Sequence, residues 1–502
     1  MNFRSSGVRP DFRLVVGILI LIVLAVLIPV GVGFGIDAEQ FVTVFLMLIL
    51  ASQIPYFPAL VLALTGMIVF YLPAGIMFGK PNAGILASLL ETNSLEAGEF
   101  LGTLPVAYCL LSLVLGVAAV VWLFFRPDFG WWKGRSRLWV AVFCLAFFAH
   151  SAVFKFYKYI VVNYLEYVES SAFFAAALSY SPQWDVEQVS DGYQVHVVVV
   201  GESVRRDYMS TYGYPHRTTP FLDAAPGYFL DGYVSAAPNT LTSLIRTLAI
   251  TDEDANMDPA HNVVTLANAA GLETWWISNQ GAIGDSDVGA ASIAARSQNR
   301  IFLKIGEYDT QNTDDHLLLE KMEHALSVSE KRKVIFLHMM GSHFNECQRL
   351  HGFPVNFETP YGKRFNCYLA SIEKTDDFIR RATDILQRSG RTFSLVYFSD
   401  HGMITSQEGS SEYRFSHATT YKQNYEVPFF IIASDLNEHV KERKNVSAFR
   451  FMDFFANWIG VQTQLTRHGY DVMEVPDDPD VRVFNYSGLV RYADLGSQGT
   501  LH

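Results

Sequence analysis

Basic residues are scarce in this chain. Its 502 residues hold 38 Lys and Arg against 50 Asp and Glu, a formal net charge of −12. That balance excludes nucleic acid as a partner, because phosphate-backbone binding needs clustered cations. Cysteine is scarcer still, with four in all. Cys347 and Cys367 are the only cysteines beyond residue 160 and no Cys-x2-4-Cys pair occurs, so a cysteine-based zinc site is not expected. Internal repeats and low-complexity segments are absent. No small-residue cleavage pattern follows the first apolar run, so that run reads as a retained anchor and not as a signal peptide. Beyond about residue 160 long hydrophobic runs are missing as well.

What the chain has in excess is apolar and aromatic surface. It is 50% hydrophobic and 14% aromatic, too apolar for an ordinary soluble enzyme and in keeping with interfacial aromatic belts. Apolar runs at about 15–35, 41–52, 59–78, 104–125 and 138–157 predict about five α-helical spans, the second having the shortest core. Arg4, Arg9 and Arg13 precede the first span, and Arg126, Lys133, Arg135 and Arg137 separate the last two. The opposite loops carry Asp37, Glu39, Glu91, Glu96 and Glu99, with Lys80 as their only cation. The positive-inside rule therefore places the N-terminus in the cytoplasm and, with an odd number of spans, everything after residue 160 outside. Lys155 and Lys158 close the last span as snorkelling side chains. The expected organisation is a transmembrane domain over 1–158, an interfacial amphipathic linker over 159–192 and a soluble catalytic domain over 193–502.

The soluble part is organised around VHVVVVGESVRRDYMSTYGYPHRTTP, residues 195–220. Its β-branched run reads as a fully buried strand, and Gly201 releases the backbone into Glu202 and Ser203. Further strands are expected at 273–278, 333–339, 392–398 and 427–433, alternating with helices at about 241–250, 262–270, 314–328, 360–388 and 447–459. That alternation is the signature of a doubly wound α/β sheet. From Asp477 to His502 a peripheral strand pair and a loose tail are expected.

In such sheets ligands bind at the carboxyl ends of the strands. Three of those ends carry chemistry here: Glu202-Ser203, His338 with His343 just beyond, and Asp400-His401, with His417 in the loop before the last expected strand. Carboxylate and imidazole ligands from separate strand ends can converge on one metal, and the mixture suits zinc better than manganese or magnesium. A hydroxyl beside them can act as a nucleophile.

The ordered set GESVRRDYMSTYGYPHRTTP, SAAPNT–LTSL, WISNQ, HMMGSH, SDHG and SHATTYKQNYEVPFF resembles the phosphoethanolamine transferases over essentially the whole chain. These are multi-pass inner-membrane enzymes of Gram-negative bacteria that decorate lipid A, lipopolysaccharide core sugars or other envelope glycans. The resemblance implies an α-helical membrane domain plus an α/β, alkaline-phosphatase-like periplasmic domain of the sulfatase superfamily. It implies zinc held by Glu202, Ser203, Asp400 and His401, with Ser203 as the nucleophile that takes phosphoethanolamine from phosphatidylethanolamine. It places His343 and His417 near the phosphoryl and leaving groups, and Asn279 and Gln280 as polar substrate contacts. In an oxidising periplasm Cys347 and Cys367 are expected to pair, while Cys109 and Cys144 sit unpaired in spans. The family often continues Asp-His-Gly with Glu-Ser, whereas Met403, Ile404 and Thr405 follow Gly402 here, so the resemblance does not carry the acceptor. A phosphoglycerol transferase, a membrane-anchored periplasmic phosphatase or sulfatase, and a non-catalytic scaffold are the competing readings. A sulfatase normally needs Cys/Ser-x-Pro-x-Arg, and Ser203 is followed by Val204, Arg205 and Arg206.

Overall fold

The computed structural model describes residues 12–81, 85–86, 89–90, 104–178, 180–252, 254–282, 290–305, 313–408, 412–486 and 488–502. They divide after Val168 into two compact units. The acidic loop residues Glu91, Glu96 and Glu99 lie outside the described residues.

In the membrane unit, the helices Phe12–Val32, Phe57–Phe78 and Val106–Phe125 are long and apolar enough to cross a bilayer. The expected second span is the helix Ala38–Gln53, whose 16 residues reach about 24 Å, short of a ~30 Å hydrocarbon core. The expected fifth span is broken. Ser136–His150 and the helix that starts at Ala152 meet at an angle of 51°. Ser151 causes the break, with extended backbone at φ −72° and ψ 155°. Its hydroxyl donates to the Phe148 carbonyl (2.7 Å) and accepts the Phe154 N–H (3.4 Å), so the interrupted ladder keeps its partners. The helix continues to Leu178, through much of the segment expected as a linker. A Cβ on Gly75 would lie 2.2 Å from the Gly31 carbonyl oxygen, so the first and third helices touch backbone to backbone.

The catalytic unit is built on an eight-stranded sheet. In chain order its strands are β1 (Val195–Gly201), β2 (Gly227–Val234), β3 (Glu273–Ala282), β4 (Asn299–Ile305), β5 (Lys333–His338), β6 (Phe393–Ser399), β7 (Phe429–Ala433) and β8 (His439–Ser447). Their spatial order is β8-β2-β7-β6-β1-β5-β3-β4. The run from β6 through β1, β5 and β3 to β4 is parallel, while β7 is antiparallel to both its neighbours. β1 lies inside this run, and its valines alternate between two cores. Val198 and Val200 face one layer, and Val195, Val197 and Val199 face the other.

All five expected strands are present, and the expected helices appear as Thr240–Leu248, Val263–Ala269, Leu317–Val328, Lys363–Arg388 and Phe451–Trp458. Three strands of this sheet escaped the sequence reading. Two of them, β4 and β8, are the edges of the sheet, and β8 is the charge-rich HVKERKNVS with its first half exposed. The peripheral pair Arg482–Phe484 and Leu489–Arg491 forms as expected. The tail after it is not loose. Gln498 accepts the Thr405 N–H (2.7 Å), Thr500 donates to Asp207 (2.6 Å), and the Tyr214 hydroxyl donates to the Leu501 carbonyl (2.9 Å).

Cys347 and Cys367 form a disulfide that ties the loop after β5 to the helix Lys363–Arg388, 20 residues on in sequence. Closing a loop of this length stabilises by about 3 kcal/mol. Replacing both by Ser is expected to lower the urea midpoint of the catalytic unit, and reductant should shift the wild type to the same midpoint.

Candidate active site

β1 sits between β5 and β6 with Val200 opposite His338 and Gly201 opposite Ser399. The residues that follow each strand therefore emerge together at one edge. Backbone bonds lock the three exits. The Asp400 N–H donates to the Gly201 carbonyl (3.2 Å), that of Met339 to Val200 (3.0 Å) and that of Ser342 to Glu202 (2.9 Å). Gly341, at φ +50°, lies so close to Glu202 that a Cβ would meet its carbonyl oxygen at 2.8 Å. Only glycine fits that turn.

At this edge Glu202, Asp400 and His401 are each about 1% exposed, and one ligand atom from each lies within 4.8 Å of the others. His401 Nδ1 donates to the Gly402 carbonyl (2.8 Å), which leaves Nε2 facing Glu202 Oε1 (3.4 Å) and Asp400 Oδ2 (3.2 Å). Asp400 Oδ1 accepts the N–H groups of Ser203 (3.0 Å) and His401 (2.7 Å), whereas Oδ2 is buried with no hydrogen-bond donor. Burial, and then the Glu202 charge, push the Asp400 carboxyl upward. For Glu202 burial acts in the same direction but is outweighed by His401, and its carboxyl is lowered. Burial disfavours the His401 imidazolium, yet Asp400 and Glu202 raise it to about 9. Two carboxylates and an imidazole nitrogen thus converge, and with the Nε2 proton displaced all three offer lone pairs to one cation. This donor set fits a small divalent cation.

Two hydroxyls adjoin the cluster. Ser203 has φ +60°, an uncommon backbone for a residue with a side chain, and its hydroxyl donates to Glu202 Oε1 (2.6 Å). It is about 1% exposed, and its carbonyl is held by the Tyr368 hydroxyl (2.9 Å). The second is Thr240, which the sequence reading passed over. It opens the helix Thr240–Leu248, whose cap Asn239 accepts the Thr242 N–H (3.0 Å). Thr240 Oγ1 donates to Glu202 Oε2 (3.0 Å) and lies 3.3 Å from His401 Nε2, and the residue is partly exposed. Asn-Thr-Leu-Thr is a helix-start signal that would have marked the position.

His417 joins the cluster from the loop before β7, its ring 4.7 Å from that of His401, and its Nδ1 donates to the Pro238 carbonyl (3.1 Å). Burial, then His401 and His343, hold it well below the usual imidazole range. The ring of Phe344 packs at 5.6 Å from His343 and 5.3 Å from His417. Asn279 and Gln280 are engaged in architecture. Asn279 Nδ2 donates to the Thr313 carbonyl (2.7 Å) and Asp315 (2.8 Å), and Gln280 Nε2 to the Met339 carbonyl (2.9 Å).

Two further residues organise the loops without a signal in the sequence. Asp315 accepts the N–H groups of Met340 (2.8 Å) and Gly341 (2.9 Å). Asn424 is fully buried and ties three loops. Its Oδ1 accepts the Ala418 N–H (2.6 Å), its Nδ2 donates to the Pro238 carbonyl (2.8 Å), and its own carbonyl accepts the Gly402 N–H (2.8 Å).

Comparison with known proteins places this edge in a family. The Sulfatase family model matches residues 194–461. Phosphoethanolamine transferase OpgE of Escherichia coli is 34% identical over 85% of each chain. The chain belongs to the phosphoethanolamine transferases of the sulfatase family. A putative phosphoethanolamine transferase of Haemophilus influenzae is also 34% identical, over 70% of this chain and 75% of that protein. The integral membrane lipooligosaccharide phosphoethanolamine transferase A of Neisseria meningitidis has the same fold, with TM-score 0.63 at 17% identity over 90% of this chain and 96% of that one. The C-terminal periplasmic domain of EptC from Escherichia coli, in complex with Zn, superposes with TM-score 0.53 at 19% identity, over 63% of this chain and 98% of that one.

Asn424→Ala removes the two side-chain bonds and keeps the backbone one, so in this transferase it should cost about 2 kcal/mol of stability, the penalty for leaving the buried Ala418 N–H and Pro238 carbonyl unsatisfied. Urea unfolding of the purified chain reads this. An unchanged midpoint would show that the loops hold without it.

Proposed function

We propose that the chain moves phosphoethanolamine from phosphatidylethanolamine to a hydroxyl or phosphate of lipid A, lipopolysaccharide core or another envelope glycan. Its catalytic unit would work in the periplasm and its helices in the inner membrane. Domain boundaries near residues 158 and 193 go with that reading. The observation that carries it is the Thr240 hydroxyl, 3.0 Å from Glu202 and 3.3 Å from His401 at the metal-binding edge.

Glu202, Asp400 and His401 would hold the metal. Zinc is the choice their chemistry favours and the ion named with the EptC domain. Bound there, it supplies positive charge that lowers a hydroxyl's pKa and offsets charge on phosphoryl oxygens. The nucleophile, expected at Ser203, is assigned to Thr240 instead. Ser203 is buried to about 1% and its hydroxyl is committed to Glu202, whereas Thr240 is partly open to a substrate. Ser203 becomes a positioning residue that orients Asp400 through its N–H and Glu202 through its hydroxyl.

Thr240 gives its proton to Glu202 Oε2, to which it already donates, and its oxygen attacks the lipid phosphorus. The bond to diacylglycerol breaks, and phosphoethanolamine is carried on Thr240 until that proton returns on its displacement. An acceptor oxygen then displaces Thr240. His417 donates through Nδ1 to the Pro238 carbonyl, so its Nε2 is the nitrogen that can take the acceptor's proton, and His343 is the group proposed to supply the leaving diacylglycerol's proton. Asn279 and Gln280 support the floor of the site through the bonds described above.

Intact mass of the chain purified from Gram-negative cells tests the intermediate. Wild type should carry a phosphoethanolamine increment that Thr240→Ala lacks and Ser203→Ala retains, and Thr240→Ala should lose transfer by ~10³-fold or more. An increment on Thr240→Ala that disappears in Ser203→Ala would return the nucleophile to Ser203, and a phosphoglycerol increment would change the donor. Stripping the metal with a chelator should abolish transfer, and zinc should restore it. Full activity of the metal-free protein would sink the metal role.

A further inference from the structure

Lys80 is the only cation that the sequence places in the loops of the otherwise acidic face of the membrane unit, and the structure gives it company. Its Nζ lies 4.2 Å from the centroid of the Phe34 ring, and the Nζ of Lys155 lies 5.3 Å from the same centroid. Phe34 follows the end of the helix Phe12–Val32, and Lys80 follows the end of Phe57–Phe78, so both belong to one end of the bundle. Among the described residues neither lysine makes an ion pair. Asp37, nearby in sequence, caps the helix Ala38–Gln53 by accepting the Gln40 N–H (2.8 Å), and neither it nor Glu39 pairs with a lysine.

The arrangement is fixed by backbone contact. Gly33 has φ +89°, and a Cβ there would strike Gly79 at 2.2 Å and the Lys80 nitrogen at 2.5 Å. The Tyr71 hydroxyl donates to the Gly79 carbonyl (2.9 Å) and Asn163 to the Pro81 carbonyl (3.3 Å), so the turn that carries Lys80 is held from both sides. Tyr159 packs on Phe34 with ring centroids 6.4 Å apart.

A ring face stabilises a cation but does not neutralise it. Two ammonium groups drawn to one ring, at a bundle end and with no carboxylate paired to them among the described residues, still lack a counter-charge. The anions available at that depth are lipid phosphates. We propose that Phe34, Lys80 and Lys155 form a binding site for the phosphodiester of a glycerophospholipid with net negative charge. Two cations favour such a lipid over phosphatidylethanolamine, whose ammonium they would repel. The site is therefore distinct from recognition of the proposed donor and does not depend on the transfer reaction.

Native mass spectrometry of the full chain, released from phosphatidylcholine nanodiscs doped with phosphatidylglycerol or with phosphatidylethanolamine, tests this. Wild type and Thr240→Ala should each retain a phosphatidylglycerol molecule. K80Q/K155Q should weaken that retention at least ~10-fold, and K80R/K155R should keep it. Should the double variant fail to fold, K80Q alone, with an unchanged melting temperature, is expected to show a smaller loss. Equal retention by wild type and the glutamine variants would overturn the proposal, as would equal retention of phosphatidylethanolamine and phosphatidylglycerol.

Discussion

The catalytic unit depends on keeping two carboxylates and an imidazole together at about 1% exposure. Burying such groups costs several kcal/mol each unless charge and hydrogen bonds compensate. Asp400 shows how far the fold goes and where it stops. One oxygen receives two backbone N–H groups, while the other, beside His401, receives none. That second oxygen lies 3.2 Å from His401 Nε2, within a donor set that fits a small divalent cation.

Much of the surrounding sequence serves that constraint. Ser203 accepts a left-handed backbone conformation, which costs on the order of 1–3 kcal/mol, and so presents its N–H to Asp400 and its hydroxyl to Glu202. Gly341 lets the loop after β5 lie against Glu202 itself. Asp315 and Asn424 contribute no lone pair to the cluster, but they fix the loops on either side of it. Two hydroxyls share one carboxylate, one on each oxygen of Glu202. The buried one is bound into this scaffold, and the one at the helix start has an open side. That division is what favours Thr240 over Ser203 as the proposed nucleophile.

The legible parts of the chain are those where burial dictates composition. β1 had to be a run of valines because both its faces are covered, and the carboxylates at its end and that of β6 stood out because strand ends are few. Edge strands have no such requirement, so β8 could be charged and went unrecognised. Thr240 was hidden for a different reason. It reaches Glu202 across 38 positions of chain, and only the fold closes that distance. Asn279, expected as a polar substrate contact, also has a structural part that the sequence did not announce, since its amide nitrogen holds the Thr313–Asp315 segment. In the membrane unit the apolar runs placed the long helices described up to Phe125, but Ser151 breaks the expected last span by hydrogen bonding, to which hydropathy is blind.

The same accounting of polar groups separates structure from function in the membrane unit. Gln53 donates to the Pro127 carbonyl (2.9 Å) and accepts the Phe129 N–H (2.8 Å), fastening the short second helix to the loop after Phe125. The Trp122 indole donates to Ser52 (3.2 Å), and the Tyr157 hydroxyl donates to the Leu64 carbonyl (2.6 Å). Each of these polar groups is answered from within the unit, as an environment without water demands. Among the described residues Lys80 and Lys155 are answered by the face of a ring alone. A counter-charge is what the proposed lipid phosphate would bring. At a bundle end among lipid head groups, the bilayer is the nearest source of it.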